Sequence, residues 1–132
     1  MTTPYDLSPQ QHDAVTALDG QQRYQHFIAR IADTQVVYGL RTEEGWVSAC
    51  DDAGADGMPL WPHPAYALEC ATGEWAGSTP AAIDVFDFAD DWLPTMSAQG
   101  VNAIVFPTAA MSGVLVDAAQ LGEDLEEELT QY

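Results

Sequence analysis

Three prolines within six residues, Pro59-Leu60-Trp61-Pro62-His63-Pro64, constrain the fold of this chain more than any other stretch. Each proline locks its own φ and pushes the residue before it out of the helical region. The backbone around Leu60-Trp61 must therefore run extended or turn. A helix can resume only at Pro64, which suits a first helical position. A short helix over Ala65–Cys70 is expected, with Tyr66 and Cys70 on one face.

The flanking segments alternate between helical and extended patterns. Ser8-Pro9-Gln10-Gln11 carries a cap, a proline at the first position and a capping-box glutamine, so a helix starts there and runs to about Leu18. Asp19 caps a second helix. Its Tyr24, Phe27, Ile28 and Ile31 fall on one apolar stripe, while Arg23, His26 and Arg30 share another face. Val36–Arg41 and Trp46–Cys50 read as strands joined by the hairpin loop Thr42-Glu43-Glu44-Gly45. Residues 51–57 read as a loop by composition.

After the proline-rich stretch, Ala82–Val85 reads as a short strand. Asp84 caps a helix whose apolar face is Val85, Phe88, Ala89 and Trp92, and Pro94 is expected to end or kink it at Leu93. Val101–Phe106 and Val114–Val116 read as strands. Asp117 caps a last helix bearing a narrow stripe of Leu121, Leu125 and Leu129. The pattern predicts an α+β fold: a small mixed or antiparallel sheet packed against helices, with two N-terminal helices and a C-terminal helix. The 132 residues fit one acidic domain spanning 1–132, and neither a repeat nor a linker is evident.

Charge sets the next bound. The formal net charge is −18, from 21 acids against three arginines, and lysine is absent. Residues 1–66 hold nine acids and all three arginines, which gives −6; residues 67–132 hold twelve acids and no base, which gives −12. Such a field repels nucleic acid and anionic lipid and attracts basic surfaces. It fits a salt-adapted, merely soluble protein, and it fits a protein whose acidic face docks a basic partner. No apolar run approaches the length of a membrane span, and the first residues, Met1-Thr-Thr-Pro-Tyr-Asp, carry no signal-peptide pattern. A cytoplasmic setting is expected, with Cys50 and Cys70 as free thiols.

No motif brings a cofactor or metal. A nucleophile elbow, a glycine-rich phosphate loop and a His-Glu-x-x-His helix are all missing. The acids of Asp51–Gly57 miss the alternate positions and the final glutamate of a calcium loop. His12, His26 and His63 share no metal-ligand spacing. The candidate binding residues are Trp61, His63, Tyr66 and Trp75, which either line a rigid pocket or pack in the core. The final helix adds Glu123, Asp124 and Glu127. Its like-charged pairs Glu123–Glu127 and Asp124–Glu128 are unfavourable by about 0.2–0.5 kcal/mol each, so a basic partner, salt or arginines of the second helix are expected to screen them.

Arg23-Tyr24-x-x-Phe27, Ala32-Asp33, Tyr38-Gly39-Leu40, Gly45-Trp46, Pro59-Leu60-Trp61-Pro62-His63-Pro64-x-Tyr66-Ala67, Trp92-Leu93-Pro94 and Phe106-Pro107 together resemble the bacterial family called domain of unknown function 2750. The resemblance covers about residues 10–130. It implies a small cytoplasmic bacterial domain and supplies no catalytic residue. A non-enzymatic protein-binding module with an acidic face for a basic partner, such as a cationic toxin held by an immunity protein, leads the readings. A small-molecule binder or enzyme centred on Trp61, His63 and Tyr66 is the alternative, beside a housekeeping domain whose acidity is salt adaptation.

Overall fold

The computed structural model describes residues 8–43, 45–50, 56–72, 75–108 and 113–130. Local signals set the first two helices. Ser8 accepts the Gln11 N–H at 3.1 Å and the Gln11 side chain returns a bond to the Ser8 N–H, which starts α1 (Pro9–Thr16). Asp19 does the same with Gln22 for α2 (Gly20–Thr34). The two differ in what they bury. α1 has no buried residue, whereas α2 sinks Phe27, Ile28 and Ile31 into the core, as their spacing requires.

β1 (Val36–Thr42) is the spine of an antiparallel sheet. It pairs β5 (Thr79–Asp84) from Val36↔Asp84 to Arg41↔Thr79, and on its other side the two residues of β2 (Gly45–Trp46). A second sheet has the order β3 (Ala49–Cys50), β4 (Asp56–Leu60), β6 (Asn102–Val105), β7 (Val114–Val116). Within it β4 and β6 run parallel, from Gly57↔Asn102 to Leu60↔Val105, and the other pairings are antiparallel. The fold is thus α+β, with one antiparallel and one mixed sheet instead of a single sheet. Trp61 joins them. Its N–H donates to Tyr38 C=O at 2.8 Å and its C=O accepts from Tyr38 N–H at 2.9 Å.

Several expectations need correction. The expected strand Trp46–Cys50 is divided, because Trp46 pairs β1 while Ala49 and Cys50 pair β4, and the chain crosses between sheets at Val47-Ser48. Asp56 and Gly57, expected in a loop, begin β4; residues 51–55 lie outside the described residues. Pro59 is tolerated inside this strand for a geometric reason. Leu60 C=O accepts from Phe106 N–H at 2.8 Å, so Leu60 turns toward β6. Pro59 then turns the opposite way, past Gly57, the last residue that β3 pairs.

The long crossover from β4 to β6 carries α3 (Pro64–Cys70), β5, and a helical run of α4 (Val85–Asp87), a π turn (Phe88–Trp92) and α5 (Leu93–Gln99). Pro94 does not end this run at Leu93; the helix changes there from the π turn to α5. Pro94 has no N–H to give the preceding turn, and just before it the ladder slips, with Leu93 N–H donating to Phe88 C=O, five residues back. Asp117 caps α6 (Ala118–Leu129), whose Leu121 and Leu125 are buried. Core side chains come from α2, both sheets, α3, the π turn, α5 and α6. No helix among the described residues is long and apolar enough to cross a membrane.

Candidate functional site

The proline-rich stretch is a corner inside the core. Trp61 is fully buried, and its indole N–H donates to Pro107 C=O at 2.7 Å. The Cys70 thiol donates to the same carbonyl at 3.4 Å. Tyr66 is buried on α3, with its ring 4.7 Å from Phe106. His63, also buried, serves as the N-cap of α3, its Nδ1 accepting the Ala65 N–H at 3.0 Å. Trp75 is half-buried and meets Trp61 edge to face at 6.1 Å. The structure therefore brings Trp61, His63, Tyr66 and Trp75 together, and it does so as packing.

All three histidines of the chain gather around the Tyr66–Phe106 pair. His12 of α1 stacks on Tyr66 at 5.4 Å, His63 meets Tyr66 edge-on at 6.1 Å, and His26 lies 6.2 Å from Phe106. Phe106 itself sits at φ 55°, a left-handed conformation that costs a bulky residue about 1–3 kcal/mol. Full burial and its bond to Leu60 hold it there.

His12 and His63 are occupied structurally, whereas the buried His26 Nε2 has no hydrogen-bond partner among the described residues. His12 Nε2 bonds Glu69, and its Nδ1 lies 3.3 Å from Asp13. Burial draws the His12 proton affinity down, but the two carboxylates more than restore it, so its pKa lies above the ordinary value. Burial, aided by Arg30, pushes that of His26 down. Burial and Glu69 raise the Cys70 thiol against a smaller opposing effect of Trp61, which keeps it protonated and a poor nucleophile. No group of three metal-ligating side chains occurs among the described residues.

The acids of α6 divide by direction. Asp124 turns inward, accepting from Tyr24 OH at 2.5 Å and from Gln120 at 3.1 Å, so it ties α6 to α2. Burial, followed by that bond, pushes the Tyr24 hydroxyl pKa strongly upward. Glu127 is exposed. Glu123 lines a groove of about 520 Å³ between α5 and α6, with Asp90 and Glu126 beside it. The groove walls are short side chains, among them Pro94, Ala98 and Ala118, with the backbone of Gly122.

A second concavity is not legible in the sequence pattern. It is a cleft of about 390 Å³ between the β1–β2 hairpin, β4 and the π turn with α5. Trp46 and Trp92 stand in it at 90° to each other, 5.0 Å apart. Helical spacing places Trp92 on the core face with Val85 and Phe88. Ala89 and Trp92 do pack against that core, half-buried, and within the π turn Trp92 also lines the cleft together with Asp91. The one local signal of the π turn is Pro94, since a proline inside a helical pattern forces some such adjustment.

A family model described as a protein of unknown function, DUF2750, matches residues 24–125. No curated protein and no solved structure matches the chain.

Proposed function

The chain belongs to the DUF2750 family, and we propose that it is a non-enzymatic binding module, acting as one domain in the cytoplasm, whose partner is a basic protein. The carrying observation is the groove between α5 and α6, where Asp90, Glu123 and Glu126 edge a lining of short apolar side chains. The three arginines lie elsewhere: Arg23 in the core, Arg30 on α2 and Arg41 on β1. A cationic segment would be steered to this side by the −12 of the second half of the chain, twelve acids and no base. A cationic toxin is one partner of that chemistry. The disposition of the titratable groups favours binding over catalysis, since His12 is paired with carboxylates, His63 caps α3 and the Cys70 thiol is buried and protonated. A free, buried thiol at Cys70 suits a reducing compartment.

Titration with a decalysine peptide at low salt tests this reading by NMR. Shifts are expected to concentrate on α5 and α6, to weaken steeply with added salt, and to vanish in Glu123→Lys/Glu126→Lys. Shifts scattered over the surface, or unchanged in that variant, would remove the groove as the docking site.

A further inference from the structure

We propose that the cleft between the β1–β2 hairpin and α5 is a separate site for a small methylated ammonium ligand. Its volume, about 390 Å³, lies in the range of small-molecule pockets. Two indoles meeting at 90° form a corner whose ring faces carry negative potential, the feature that recognises alkylated cations. One of these rings already attracts a cation: the Arg41 guanidinium, which is not part of the cleft lining, lies 5.5 Å from the Trp46 ring centre.

The surrounding residues complete the chemistry. Met58 and Met96 supply soft, polarizable wall for methyl groups. Asp91 supplies the countercharge, and it makes no ion pair among the described residues, where the pairs formed are those of His12. Ser48, Thr95 and Gln99 add neutral polar groups suited to a hydroxyl or amide elsewhere on the ligand. Gly39 lies beneath the Trp46 side of the corner. A Cβ at this position would lie 3.1 Å from the Trp46 ring and 3.2 Å from the Met58 terminal methyl, so both would have to give by a few tenths of an ångström to accept one.

Charge narrows the ligand class further. With a formal net charge of −18 and a carboxylate in the lining, an anionic ligand meets repulsion both near and far. The cleft is independent of the α5–α6 groove. α5 gives Thr95, Met96 and Gln99 to the cleft and Pro94, Ser97 and Ala98 to the groove.

The test is a titration with choline, its uncharged isostere 3,3-dimethylbutan-1-ol, and hexanoate, followed by the indole N–H resonances of the four tryptophans. Concentrations up to about 10 mM suffice, since a cation–π corner with one exposed carboxylate supports millimolar binding. Saturable shifts are expected at Trp46 and Trp92 and not at Trp61 or Trp75, with choline binding about tenfold tighter than the alcohol. Asp91→Asn should weaken choline about three- to fivefold, a modest factor because the carboxylate is exposed, and leave the melting temperature unchanged. Glu123→Lys/Glu126→Lys should leave choline binding intact, which separates this site from the groove. Equal binding of choline and the alcohol, preference for hexanoate, or no saturable shift at Trp46 and Trp92 would each overturn the proposal.

Discussion

Trp61 pairs its backbone with Tyr38, donates its indole N–H to Pro107 and fills the centre of the core. Trp61→Phe keeps the backbone bridge and an aromatic ring but loses the hydrogen bond and some volume. The Pro107 carbonyl retains the Cys70 thiol as a donor, so the loss is not that of a fully stranded acceptor. A destabilisation of about 2–3 kcal/mol is expected in urea unfolding. The residue pattern alone told that Trp61 is rigidly held, because prolines flank it. Whether it faces solvent or core depended on Tyr38 and Pro107, 23 and 46 residues distant in sequence, and no local pattern reports a partner so far away. The same holds for Asp124, which reads as a bare surface acid until Tyr24 of α2 is seen to donate to it.

Two helices show at the scale of the element how charge acts on attachment. α1 lies outside the residues matched to the family and buries none of its own; His12 ties it to α3 through Glu69 and Tyr66. The docked His12 binds its proton more tightly than the ordinary value of 6.5, so its contribution is complete below that pH and is lost as pH rises through the raised value. Amide exchange in α1, corrected for its intrinsic pH dependence, should accelerate across that window, and His12→Gln should abolish the step. On α6, Glu127 stands four residues after Glu123 near the negative end of the helix dipole. Glu127→Lys converts the repulsive pair to an attractive one, with the acid on the N-terminal side. It should stabilise by about 0.5–1 kcal/mol, a gain in melting temperature of about 2–4 °C by calorimetry. A drop would show that Glu127 serves a contact within the fold. The helix caps were legible to the residue, since Ser8, Asp19, Asp84 and Asp117 act on their immediate neighbours. The π turn was not, because its cause lies in accommodating Pro94 while keeping Phe88 buried, a compromise set by the core.

For the whole molecule, acidity is a stability question before it is a recognition question. A formal charge of −18 on 132 residues repels itself, and salt relieves this. The melting temperature should climb as KCl is added and level off near about 0.3 M, where screening reaches little beyond contact distance. A rise continuing into molar salt would mark the charge as adaptation to a salty interior and remove its support for a basic partner. The sequence by itself determined the caps, the apolar stripes of α2 and α6, the extended proline corner and the sign of the field, since each depends on residues adjacent or one turn apart. Only the tertiary structure decided that β4 pairs β6 in parallel across the long crossover, that Trp61 stitches two sheets, and that Trp46 and Trp92 meet at a right angle. Those outcomes rest on contacts between segments far apart along the chain, whose partners are chosen by how the whole core closes.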